Sequence, residues 1–239
     1  MLTGPPSADR IGRPAKAADE LARQIADEIA NAGWPVGTSL GSEQTLTERY
    51  RVGRGVLREA IRILERDSIA TMRKGPSGGL VISEPSVDAA AYAAWIHLSH
   101  RGLGPADVLS TRKALELAAV DRVIDRLHED ARRAIDDQLR AERDLPPDAS
   151  IQDLQRFHRV LASLTGDPAM ELFIDIMLRL TSERWEQHHD EHARHQLIRA
   201  IPRAHRAIAA GILSGDREKA RRAMEKHLDA FRAWLTSPK

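Results

Sequence analysis

Apolar residues recur at helical spacing along nearly the whole chain, and the period changes in one place. Residues 69–74 and 80–83 read as two short strands around a glycine-rich turn, Gly75-Pro76-Ser77-Gly78-Gly79. A two-stranded hairpin is marginal by itself, so it must lean on helices. Three helical segments precede it. The first places Leu21, Ile25 and Ile29 at i, i+4 and i+8 and stops near Gly33. Ser42 can cap the second, whose core face is Leu46 and Tyr50. After a tight turn at Arg51-Val52-Gly53, the third runs to about Arg66 and packs Leu57, Ile61 and Leu64 inward. Beyond the hairpin no strand-like alternation returns. Helices are expected over 88–100, 105–127, 130–143, 151–164, 168 to about 190, 202–213 and 216–235, with breaks at residues such as Pro105, Pro202 and Asp216. The fold class that follows is mostly α: an N-terminal winged helix-turn-helix, helical with a small β-hairpin, followed by an all-α bundle. Its parts are a flexible arm at 1–17, a helix-turn-helix domain of the DNA-binding kind at 18–83, a linker at 84–88 and a helical domain at 89–236.

Charge points the same way. The net charge is +1, yet residues 49–74 hold eight basic side chains against three acidic ones, while the rest of the chain is nearly balanced. A basic patch of that density suits a polyanion, although a solvated helix face is the alternative that charge alone leaves open. Cysteine is absent, residues 1–16 have no apolar core of a secretory signal, and no run of about 18 apolar residues occurs. A soluble, cytoplasmic protein is expected.

Arg54 and Arg58 lie at i, i+4 opposite the apolar face of the third helix, where each guanidinium can read a guanine edge in the major groove. The alternative is pairing with nearby acids such as Glu59 and Glu65. Gly53 and Gly55 leave the backbone amides at the helix start open to a phosphate or base edge. Lys74 and the flexible turn beyond it would follow the DNA backbone or minor groove as a wing. One such module contacts few base pairs, so a homodimer on double-stranded operator DNA is expected.

Residues 20–83 resemble the GntR winged helix. The matching features are Gly37, Leu40, Ser42-Glu43 before Leu46, Val52, Val56-Leu57-Arg58-Glu59-Ala60, Leu64 and the wing from Gly75 to Val81. The resemblance implies operator contacts from Arg54, Arg58, Lys74 and Gly75. A third family arginine, early in the second helix, falls on Gln44 here, a side chain that suits adenine.

Three histidines sit on apolar stripes of separate helices: His158 between Leu154 and Leu161, His205 with Ile208 and Ile212, and His227 with Ala223 and Phe231. One alone reads as a core histidine. Three aimed inward can satisfy their nitrogens by sharing one ion, and neutral imidazoles with an open position suit Zn²⁺ or Ni²⁺. Residues 88–236 also resemble the FCD effector-binding domain, through Arg112 with Glu116, Phe157-His158, His205, Gly215-Asp216 and His227. That resemblance implies a metal held by one Asp and three His that helps bind a small-molecule carboxylate effector. Members that bind acyl-CoA lack these histidines. The Asp position is Leu154 here, and Asp153 lies one residue off, roughly 100° around the helix. Arg112 is the candidate for gripping the carboxylate, with an i, i+4 pair to Glu116 as the other reading.

His188, His189, His192 and His195 form a further group, of which 188, 192 and 195 share a face; without apolar neighbours it reads as a solvated surface. The rival function is a metal-dependent hydrolase using the three histidines. Against it, no H-E-x-x-H occurs and no carboxylate is obviously placed as general base near them. An architectural DNA binder without effector would leave the inward histidines unexplained.

Overall fold

Leu21, Ile25 and Ile29 line one face of α1 (Asp9–Asn31), and all three are buried. The computed structural model describes residues 9–75, 78–146, 149–182 and 191–235, with side chains from 15 onward in the first stretch and from 198 onward in the last. The chain divides into two units, residues 1–89 and 90–239. Helix α1 begins at Asp9, inside the stretch 1–17 read from sequence as an arm. Pro14 is thus carried within a helix despite its missing N–H.

In the first unit, α2 (Glu43–Tyr50) opens on Ser42, whose side chain accepts from the Thr45 amide. Arg51 then takes the left-handed conformation, φ 53°, and turns the chain into α3 (Arg54–Arg66). Leu57, Ala60, Ile61 and Leu64 of α3 pack with Leu46, Leu80 and Ile82 in the core. Strands β1 (Ala70–Arg73) and β2 (Gly79–Ile82) pair antiparallel, Ala70 opposite Ile82 and Arg73 opposite Gly79. Every residue of β2 is buried, because its other edge is also paired. Residues 37–41 add to it through Gly37 N–Ile82 O at 2.9 Å, Leu40 N–Leu80 O at 2.8 Å and Leu80 N–Gly41 O at 2.9 Å. The hairpin is thereby the core of a three-segment sheet. Gly79 is required there: a Cβ would stand 2.4 Å from the Gly41 carbonyl oxygen, and its φ is +114°.

The second unit is helical: α4 (Val87–His100), α5 (Pro105–Asp125), α6 (Glu129–Arg143), α7 (Ile151–Leu164), α8 (Pro168–Ser182), α9 (Glu191–Leu213) and α10 (Arg217–Leu235). Its main core joins Val120, Val123, Ile135, Phe157, Leu161, Ile208, Ile212 and Met224. Full burial of each such aliphatic contributes about 1.5–3 kcal/mol. Helix α9 overturns the expectation of a break at Pro202. The proline sits inside the helix and forfeits one bond to the carbonyl four residues back, but Ile198, Ile201, Ile208 and Ile212 keep one apolar face continuous and buried across it. Helices α9 and α10 meet most tightly where a Cβ on Gly211 would lie 2.5 Å from the Ala220 nitrogen.

Candidate functional site

The first candidate surface is the α2–α3 unit and the turn after β1. Arg54 is exposed and has no carboxylate partner among the described residues. Arg58, also exposed, donates its Nε to Glu43 Oε1 at 2.7 Å. Of the alternative, pairing with nearby acids, Arg58 thus makes one pair, with Glu43 rather than with Glu59 or Glu65. Glu59 holds Arg62, and Glu65 accepts the backbone N–H of Met72, tying α3 to β1. Gln44 is exposed on α2 and reaches Glu48 at 3.1 Å. At Gly53 and Gly55 nothing stands within 4 Å of where a Cβ would be, so the backbone at the start of α3 is unobstructed. Lys74 and Gly75 are exposed at the hairpin turn, Gly75 with φ +111°.

The second candidate lies within the helical unit. Helices α7, α9 and α10 bring His158, His205 and His227 together, 3%, 0% and 8% exposed, with one ligand atom of each within 4.8 Å of the others. The Nε2 atoms converge: His158 to His227 is 3.2 Å, and His205 to His158 is 3.2 Å. Nitrogens held about 2.0–2.1 Å from a tetrahedral zinc stand about 3.3–3.4 Å apart, close to both of these separations. Phe157 stacks on His205 with ring centroids 4.3 Å apart.

The opposite ring nitrogens are held by acids. His158 Nδ1 meets Glu116 Oε2, and His205 Nδ1 meets Glu142 Oε1 at 2.8 Å. Burial works against ionisation of Glu116, but Arg112 and His158 outweigh it and hold the carboxyl well below its ordinary range. Burial pushes Glu142 up to about 7. Desolvation drives His205 and His227 far toward the neutral form, which is the form that binds metal. A neutral ring that donates Nδ1–H to a carboxylate turns its Nε2 lone pair the other way. Lone pairs so directed repel one another unless a cation or a donor stands between them, and a carboxylate behind a histidine is the usual support of a metal ligand.

The space these rings border is about 10 Å³, room for one water-sized group, and Arg112, Leu154 and Gln155 also line it. Leu154, where the resemblance leads one to look for Asp, is 2% exposed in the apolar core. Asp153 does not replace it. Its Oδ2 accepts from the Ser150 amide at 2.9 Å and from the Ser150 hydroxyl at 2.7 Å, as the cap of α7. Arg112 is 2% exposed; it donates Nε to Glu116 Oε1 at 2.5 Å and Nη1 to Thr181 Oγ1 at 3.0 Å, and lies 5.6 Å over the Phe231 ring. Both readings of Arg112 therefore coexist, since it pairs with Glu116 and still borders the cavity.

Two residues escaped the sequence reading. Glu142 lies on α6, where only its polarity shows. Gln155 follows Leu154 by one, donates Nε2 to the Leu178 carbonyl at 3.1 Å, and leaves a buried Oε1 without a partner among the described residues. Two buried acids do stand near the histidines, Glu116 and Glu142, but they support the rings from the Nδ1 side rather than facing the converging Nε2 atoms. Of the remaining histidine group, His188 and His189 lie outside the described residues, as do the side chains of His192 and His195.

A family model described as bacterial regulatory proteins, gntR family, matches residues 17–78, and one described as the FCD domain matches residues 107–230. The Exu regulon transcriptional regulator of Escherichia coli is 26% identical over 230 residues, covering 94% of this chain and 86% of that protein. The HTH-type transcriptional repressor NanR of Cronobacter sakazakii is 28% identical over 239 residues, covering 94% and 89%. The Uxu operon regulator of Haemophilus influenzae is 24% identical over 228 residues, covering 90% and 80%. Among solved structures, a Streptococcus agalactiae GntR protein superposes with a TM-score of 0.64 at 24% identity, over 90% of this chain and 98% of that one, which establishes likeness of fold. No helix among the described residues is long and apolar enough to cross a membrane.

Proposed function

Because the chain belongs to the GntR family of bacterial regulators, in the branch that carries an FCD domain, we propose that it binds operator DNA as a homodimer under the control of a small carboxylate effector that engages an ion held by the three histidines. The observation that carries this reading is the convergence of three buried Nε2 atoms, two of them backed by buried carboxylates.

His158, His205 and His227 would hold Zn²⁺ or Ni²⁺. Bound there, the ion supplies a positive Lewis-acid centre that attracts carboxylate oxygens. With Leu154 in place of an acid, the direct ligand set is neutral, which leaves a position on the ion that favours an anion. Arg112 borders the same space with part of its fork already used by Glu116 and Thr181, which fixes the guanidinium for a carboxylate. Gln155 offers its unpartnered Oε1 to a donor on whatever occupies the cavity. On the DNA side, Arg54 and Arg58 read base edges, Gly53 and Gly55 admit a phosphate or base to the α3 amides, and Gln44, Lys74 and Gly75 flank them. The hydrolase alternative has no support, as both matched domains and the named relatives are those of regulators.

The test uses tag-free full-length protein. Elemental analysis after Zn²⁺ or Ni²⁺ dialysis should find about one metal per chain, and chelation should lower the melting temperature. DNA fragments retained from a genomic library should share a two-fold site with half-sites about one helical turn apart, and sedimentation should give a dimer. Metal-free protein whose melting ignores both ions would overturn the metal assignment, and a monomer with or without DNA would overturn the dimeric mechanism.

A further inference from the structure

Away from the three-histidine cavity, the same helical unit holds a cleft of about 530 Å³ between α9 and α10. Its origin is steric. The two helices are pinned together where Gly211 meets Ala220, with no room for a Cβ on Gly211, and the cleft is lined by five alanines whose small side chains leave the groove open. Ile201 and Phe231 add to the apolar wall. Each charged side chain on the lining is basic: Arg203, Lys219, Arg222 and Lys226, with no acid among them.

Several other cations of the unit are paired, which the cleft's are mostly not. Lys113 meets Asp229 at 2.9 Å, Arg122 meets Asp167 at 3.1 Å, Arg159 meets Asp175 at 2.6 Å, and Arg221 meets Asp121 at 2.5 Å. At the cleft only Arg222 has such a partner, Glu218 at 3.0 Å. The side chains of Arg203, Lys219 and Lys226 have none among the described residues. Like charges gathered without counter-charge around a low-dielectric wall repel one another and raise the local potential, and an anion relieves both. The volume falls within the roughly 300–1,000 Å³ of small-molecule sites, and an apolar wall with a few charged groups is their common make-up.

We propose that the α9–α10 cleft is a second ligand site, taking a small organic anion with an apolar body, its carboxylate, phosphate or sulfonate held by Arg203, Lys219 and Lys226. The site is separate from the cavity at the histidines, which holds only a water-sized group. Ile201, His227 and Phe231 line both spaces and form the partition between them.

The probe is 8-anilinonaphthalene-1-sulfonate, with the uncharged N-phenyl-1-naphthylamine beside it, titrated by fluorescence into the full-length protein. The sulfonate dye should bind saturably at one site per chain and survive chelation. Its Kd should rise at least tenfold in the Arg203→Glu, Lys226→Glu double variant, while the neutral dye is unaffected. Both positions are exposed, so circular dichroism should be unchanged, and single Arg203→Gln and Lys226→Gln variants should show smaller losses in the same direction. Equal dye affinity in the double variant, or no saturable binding by the wild type, overturns the proposal. A double variant that sediments as a monomer where the wild type is a dimer also overturns it, because the cleft would then be an interface between copies.

Discussion

Replacing Leu154 by Asp would separate a metal-centred cavity from a purely structural one. The leucine is 2% exposed, packs in the main core and borders the histidine cavity. Without metal the change removes a buried aliphatic and introduces a carboxylate with no partner given there, so a loss of about 3–5 kcal/mol is expected. With metal, the new carboxylate becomes a fourth ligand beside three imidazoles. A hundredfold gain in affinity returns about 2.7 kcal/mol at fixed saturating metal, since each tenfold is about 1.4 kcal/mol. The variant should therefore be about 3–5 kcal/mol less stable than wild type in EDTA and only about 0.3–2.3 kcal/mol less stable in excess Zn²⁺. At about 2–4 °C per kcal/mol for a domain of this size, the gap between zinc and EDTA melting temperatures should widen by roughly 5–11 °C. Differential scanning calorimetry of both proteins in both buffers reads this directly. If Leu154→Asp lowers the melting temperature equally with and without zinc, residue 154 does not face a metal, and the account of the cavity is wrong.

Arg54→Ala and Arg58→Ala should each weaken operator binding by ~1–3 kcal/mol in a gel-shift series with the fold intact, and wild-type affinity with an unchanged salt slope in both would mean α3 is not the reading helix. Because Arg58 is held by Glu43, Glu43→Gln should free it and raise affinity for nonspecific DNA. Gly79→Ala should destabilise the first unit by about 2–4 kcal/mol, seen as an earlier urea transition, since its Cβ would meet the Gly41 carbonyl in a positive-φ conformation. Burial, and then the Glu28 carboxylate that accepts its hydroxyl, raise the Tyr50 phenol from 10.0 to about 12. The stability it contributes is complete below pH 10 and is lost as pH climbs through 12; ultraviolet titration that shows all tyrosine ionising near pH 10 in folded protein would contradict this.

Periodicity alone was enough to find the buried faces of the helices, because a 3.6-residue repeat of apolar side chains is a local signal that burial merely confirms, as with Leu57, Ile61 and Leu64 on α3 or His158 on α7. It was also enough to turn three histidines inward and to leave Arg54 and Arg58 outside. Local chemistry misled at Pro202, where a proline that should end a helix is carried through by the apolar face on either side of it. What the sequence could not contain was distance between separate elements. That residues 37–41 complete the sheet, that Asp153 is spent on capping Ser150, and that Arg58 pairs with Glu43 are all outcomes of packing. Glu116 and Glu142 behind the rings, the unpartnered Gln155 oxygen beside them and the basic cleft between α9 and α10 arise only when helices far apart in the chain close on one another. A single helix records which way a side chain faces, and the fold alone decides what it meets there.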